Sequence, residues 1–108
     1  MPALVPPDQR DAVAQRFRLL GEPVRLEILN VLHTQGEMAV GDLVEATGQR
    51  QANVSKHLSR MAEADLLERR RDGVHVYYSI SDPTLAALCQ LVRARLDDEI
   101  APSPSSDD

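Results

Sequence analysis

The feature that most constrains this chain is a glycine set between two short amphipathic segments. Val40 to Thr47 places Leu43, Val44 and Ala46 as apolar residues and Asp42 near its start, which suits a helix of about two turns with an acid at its positive end. Gly48 is placed to stop that helix. A second helix follows within a couple of residues, in which Val54, Leu58, Met61 and Ala62 recur at helical spacing and are expected to be buried. Two helices joined by so tight a turn make a helix-turn-helix. The outer face of the second helix carries Gln51, Asn53, Ser55, Lys56 and Ser59, with no acid among them. Amide, hydroxyl and ammonium groups are the kinds that meet base edges and phosphates. An ordinary surface helix is the plainer explanation, but it usually carries charges of both signs.

The flanking segments give this pair a context. Residues 1–7 hold three prolines and no periodicity, so a flexible arm is expected. Asp8 to Leu20 has Val13, Phe17 and Leu20 at amphipathic spacing, and Gly21 ends it. Pro23 suits the first turn of a helix running to about Thr34, closed by Gln35-Gly36. Its Val24, Leu26, Ile28, Leu29, Val31 and Leu32 cover most of its circumference and predict a central position in the core. After the helix-turn-helix, Leu66 to Arg71 reads as a strand and Asp72-Gly73 as a hairpin turn. Val74 to Ile80 is a second strand with Val74, Val76, Tyr78 and Ile80 on one face. Asp82-Pro83 then caps a last helix to about Glu99, with a stripe of Leu85, Leu88/Cys89, Val92 and Leu96. Residues 101–108, rich in Ser and Asp, are expected to be a disordered tail. The predicted fold is mainly α with a β-hairpin wing, in the order ααααββα: a winged helix-turn-helix over residues 8–100.

The net charge of −5 would seem to argue against nucleic acid, but its distribution does not. Residues 1–49 hold four basic and seven acidic groups, residues 50–71 six basic and three acidic, and residues 72–108 two basic and seven acidic. An acidic body with one basic face is drawn to DNA in a single orientation. Gln51 can pair with an adenine edge, Lys56 can donate to guanine or phosphate, and Ser55 can donate to either. Arg60 lies farther along the helix, where backbone contact is expected. Arg69 and Arg71 point to one side of their strand and Arg70 to the other, so at most two of the three are expected on DNA. His57, beside Leu58, reads equally as packing or as a phosphate contact.

The chain resembles the ArsR/SmtB family of winged-helix repressors. The residues that carry the resemblance are Leu20-Gly-Glu-Pro-Val-Arg-Leu-Glu-Ile-Leu29, Val40-Gly-Asp-Leu-Val44, Asn53-Val-Ser-Lys-His-Leu58, Ala64-Asp-Leu-Leu67 and Arg69-Arg-Arg-Asp-Gly-Val-His-Val-Tyr-Tyr78. The resemblance covers residues 10–97. It implies a homodimer joined through its first and last helices, with one recognition helix per subunit in successive major grooves of a palindromic double-stranded operator, and repression that an effector relieves. Ala52 stands where the family commonly has a hydroxyl residue, though it can still meet a thymine methyl.

The effector is less legible. Many family members bind soft metals through a Cys-Val-Cys type motif at the start of the third helix, but here Glu37-Met-Ala-Val-Gly-Asp42 has no cysteine. A second family site uses histidines on the last helix, and this one has none; His33, His57 and His75 fall on three different elements. No metal site and no cofactor are therefore expected. Cys89, the single cysteine, reads as a small buried hydrophobe, with thiol sensing across a dimer axis as the alternative. One cysteine makes no internal disulfide and fits a reducing compartment. Met1 to Pro7 lacks the features of a signal peptide, and no apolar run approaches a membrane span, so a cytoplasmic protein is expected. No nucleophile–base arrangement, carboxylate pair or phosphate loop suggests an enzyme. The competing function class is a winged-helix protein–protein interaction module without DNA.

Overall fold

The computed structural model describes residues 1–100; the predicted tail, 101–108, lies outside the described residues. A single 3-10 turn, Pro7–Gln9, leads into α1 (Arg10–Leu20), two residues later than the amphipathic pattern alone suggests. Leu19 is the buried residue of α1, whereas Phe17, expected inside, is 58% exposed. α2 (Pro23–Gln35) starts where Glu22, in extended conformation, accepts a hydrogen bond from the Arg25 N–H at 3.0 Å. That carboxylate supplies the acceptor that the first helical turn lacks. Ile28, Leu29 and Leu32 of α2 are buried, but Leu26 is exposed, so one flank of this helix reaches solvent in the single chain.

The helix-turn-helix consists of α3 (Val40–Thr47) and α4 (Gln51–Glu63). Gly48 closes α3 in the left-handed region, at φ 71°, with its N–H on Val44 O. A β-carbon at Gly48 would meet nothing within 4 Å, so the requirement for glycine is one of backbone conformation and not of space. The Thr47 hydroxyl donates to Leu43 O at 2.7 Å and accepts from the Gln49 N–H at 3.3 Å, which ties down the turn between the helices. Leu43, Val54, Leu58 and Met61 are fully buried together with Ile28 and Leu66, and these six side chains form the centre of the core. Leu66 is reached through a left-handed residue, Asp65 (φ 63°), and lies outside the strand it was expected to open.

β2 (Leu67–Asp72) and β3 (His75–Ile80) form the wing. Asp72 pairs with His75, so the two-residue loop is Gly73-Val74, with Gly73 at φ 62° as the first position of a type II′ turn requires. Val74 therefore belongs to the loop, at 89% exposure, and not to the buried face of the strand. A strand that the sequence did not announce, β1 (Met38–Ala39), pairs antiparallel with β3, Met38 opposite Tyr78 and Ala39 opposite Tyr77. The sheet thus has three strands in the order β1-β3-β2. α5 (Thr84–Ile100) begins where Asp82 accepts from the Thr84 N–H and hydroxyl and pairs with Arg16 of α1. Among the described side chains of α5 only Leu85 is buried; Leu91, Val92 and Leu96 are exposed.

Candidate nucleic-acid interface

Along α4 the buried residues Val54, His57, Leu58 and Met61 face the core, and Gln51, Ala52, Lys56, Ser59 and Arg60 are exposed. Asn53 and Ser55 lie half-buried on the flanks. The Asn53 amide donates to Gln49 Oε1 at 3.1 Å, so its donor is engaged within the turn. Lys56 and Ser59 occupy the outer row with Ala52, while Arg60 sits to one side and lines a groove against α1. No acid occurs in the first turn of α4, and no side chain caps its N-terminus. The residue at the cap position is Arg50, exposed and cationic, where Ser, Thr, Asp or Asn would normally satisfy the free N–H groups. An uncapped helix start beside an arginine suits a phosphate oxygen. Sequence reading passed over Arg50, although a poor capping residue at a helix start was its visible signal.

The wing places its three arginines as strand alternation predicts. Arg69 and Arg71 share the face on which Leu67 is buried, opposite Tyr78 and Val76 respectively. Both are exposed, and neither is within ion-pair distance of a carboxylate among the described residues. The Arg71 Nε donates to Gly73 O at 3.3 Å, which curls this side chain over the loop. Arg70, on the other face, donates twice to Glu37, at 2.9 and 2.8 Å, and lies 4.6 Å from the centre of the Tyr77 ring. That hydrogen bond and the cation beside it hold the Glu37 carboxyl below its usual range. Arg70 thus anchors the wing to the segment just before α3.

His57, which the sequence left open between packing and phosphate contact, is 6% exposed on the inner side of α4. Its Nε2 is 3.8 Å from Glu22 Oε2, and its Nδ1 is buried without a hydrogen-bond partner. Burial first, and then the positive charge of Arg25, outweigh Glu22 and hold the imidazole below its ordinary value of 6.5. His57 is therefore a neutral packing residue. Cys89 is half-buried on α5. Among the described residues no cluster of three or more His, Cys, Asp or Glu side chains could hold a metal ion, and no helix is long and apolar enough to cross a membrane.

A helix-turn-helix whose second helix opens on a polar face with no acid in its first turn, beside an arginine-bearing hairpin, is the winged helix-turn-helix of a DNA-binding regulator. A family model described as "Helix-turn-helix domain" matches residues 20–70. The chain is 37% identical over 99 residues to a Streptomyces lividans protein named "Probable mercury resistance operon repressor", covering 92% of this chain and 78% of that one. Among solved structures, the antimony-specific transcriptional repressor AntR superposes with a TM-score of 0.80 at 28% identity, over 91% of this chain and 88% of that one. A homodimeric winged helix-turn-helix domain from Mycobacterium bovis, described as a possible ArsR-family regulator, gives 0.77 at 31% identity, over 94% and 97%. The chain belongs to the ArsR/SmtB family of winged-helix transcriptional repressors.

Proposed function

We propose that this protein represses transcription as a homodimer, with α4 of each subunit in successive major grooves of a palindromic operator. The carrying observation is the polar outer face of α4, with no acid in its first three turns, beside Arg69 and Arg71 of the wing, which have no carboxylate within ion-pair distance among the described residues. Gln51, Ala52, Ser55, Lys56 and Ser59 face base edges and nearby phosphates, Asn53 braces the turn, and Arg69 and Arg71 hold the backbone beyond the groove. Half-sites one turn apart would place the two recognition helices about 34 Å from each other. The homodimeric relative supports assembly as a pair, and the exposed Phe17, Leu91, Val92 and Leu96 of the single chain support α1 and α5 as the surfaces that meet.

Two relatives are named for a mercury resistance operon and for antimony specificity, but positions 37–42 of this chain offer no thiolate, and its one cysteine sits on α5. We infer that its effector is not a soft metal bound at the start of α3. Fluorescence anisotropy against the DNA upstream of its own gene tests the central reading. Specific binding that Gln51→Ala relaxes toward non-specific sequence is the expected result. Absence of binding at low salt, where phosphate attraction is strongest, would overturn it.

A further inference from the structure

A groove of about 500 Å³ runs between α1, the start of α2 and the C-terminal half of α4, lined by Asp11, Gln15, Arg18, Arg25, Arg60 and Glu63 above Leu19. Three arginines on three different helices converge there. None of them lies within ion-pair distance of a carboxylate among the described residues, although Asp11 and Glu63 line the same groove. The Nε of Arg25 is buried with no hydrogen-bond partner. Guanidinium groups that converge unpaired repel one another, and a buried donor without an acceptor costs free energy. An oxyanion between them removes the repulsion, and the planar guanidinium fork matches phosphate and carboxylate oxygens. The volume is that of a small-molecule site.

From this geometry we propose that the groove binds the effector: a small organic anion with a phosphate or carboxylate head for Arg18, Arg25 and Arg60 and its own hydroxyl or amino donors for Asp11, Gln15 and Glu63. The proposal rests on the repressor reading for its consequence but not for its chemistry. Asp11, Gln15 and Arg18 recur on one side of α1, and Val13 and Phe17 lie on the other, so the groove stays open when the exposed apolar side of α1 is covered. Arg60 and Glu63 belong to α4 itself, one turn beyond Lys56, so an occupant would bridge α1 directly to the recognition helix. The positive potential of this region also reaches His57, which Arg25 and Arg60 help to keep neutral after burial has done so.

Amide chemical shifts of the folded full chain test the proposal, titrated with inorganic phosphate and with glycerol 3-phosphate at ionic strength held constant with chloride. Saturable shifts are expected around residues 11–19, 25 and 60–63, larger for glycerol 3-phosphate because it supplies donors as well as a head. In Arg18→Ala/Arg60→Ala the apparent affinity should fall by about tenfold for each arginine, the scale of one charged hydrogen bond. If that double variant does not fold, the single Arg18→Gln and Arg60→Gln variants replace it. No saturable shift, or the same titration in the variants, overturns the proposal. So does an Arg18→Gln variant that loses operator affinity with no anion added, because that arginine would then be holding DNA backbone; Arg60, expected on the backbone from the sequence, is left out of this control. Failure of the wild type to bind any operator would sink the repressor reading and leave the anion titration to decide the groove separately.

Discussion

His57 shows what a single residue on the recognition helix must satisfy. It lies inside, with Glu22 on one side and Arg25, Lys56 and Arg60 supplying positive charge around it. Its pKa is lowered in the folded chain, so the unfolded chain takes up the proton first as pH falls. The stability it contributes is fully present above about 6.5 and is lost as pH drops below that value. Glu22, Glu37 and Asp82 are held below their ordinary values, so what they contribute disappears in a separate, more acidic window, below about 4.5. Thermal melts should therefore show a first loss as pH falls below about 6.5 that His57→Gln flattens; an unchanged profile in that variant would count against it. On the outer row, Lys56→Ala and Arg71→Ala should each lower the salt dependence of operator binding by roughly one unit of slope, read from anisotropy across a salt series. The outer row was legible because helical period alone separates Lys56 from Leu58. The fate of His57 was not, because Glu22 and Arg25, which enclose it, are more than thirty residues away in the chain.

At the level of elements, the glycine between α3 and α4 and the anchor behind the wing do different work. Gly48→Ala should destabilise the protein by about 1–2 kcal/mol in urea denaturation, the cost of a left-handed β-carbon-bearing residue, since no clash adds to it. Arg70→Ala breaks an exposed pair, so its effect on global stability should be small. Hydrogen exchange at the wing amides should nevertheless quicken, because the bidentate contact and the Tyr77 ring fix the hairpin to the entrance of α3. Equal exchange in wild type and variant would show that the strand ladder alone suffices. Both helices of the helix-turn-helix were readable from Gly48 and the apolar spacing on either side of it. β1 was not, because two residues have no period, and only the pairing of Met38 and Ala39 with β3 makes them a strand. The hairpin turn was misplaced by one residue for a related reason: Asp72-Gly73 signals a turn, but the register that pairs Asp72 with His75 decides which residues loop out.

For the molecule as a whole, the apolar surface left on α1 and α5 sets the state in which it works. Phe17 is 58% exposed and Leu91 70%, values that fit a surface covered by a second copy better than a free monomer. Phe17→Glu/Leu91→Glu should shift sedimentation from dimer to monomer and weaken operator binding by about a hundredfold or more, because two linked reading heads become one. A variant that remains dimeric would place the interface elsewhere. The charge pattern works at the same scale: six of the twelve basic residues fall within 50–71, so an otherwise acidic particle meets DNA with one face.

The short ladder between β1 and β3 has a mechanical consequence. Because Met38 and Ala39 run straight into α3, and β2 packs against α4, the wing is tied to the helix-turn-helix from both sides of the sheet. In the homodimer proposed above, a signal that slackened one grip on the duplex would disturb the other. If the copies meet through α1 and α5 as proposed, release would come from tilting the joined wing and helix against α1, which would change the spacing between two intact reading heads. In the groove at that seam, a wedge of only a few atoms would be geared up into a mismatch with the pitch of the double helix.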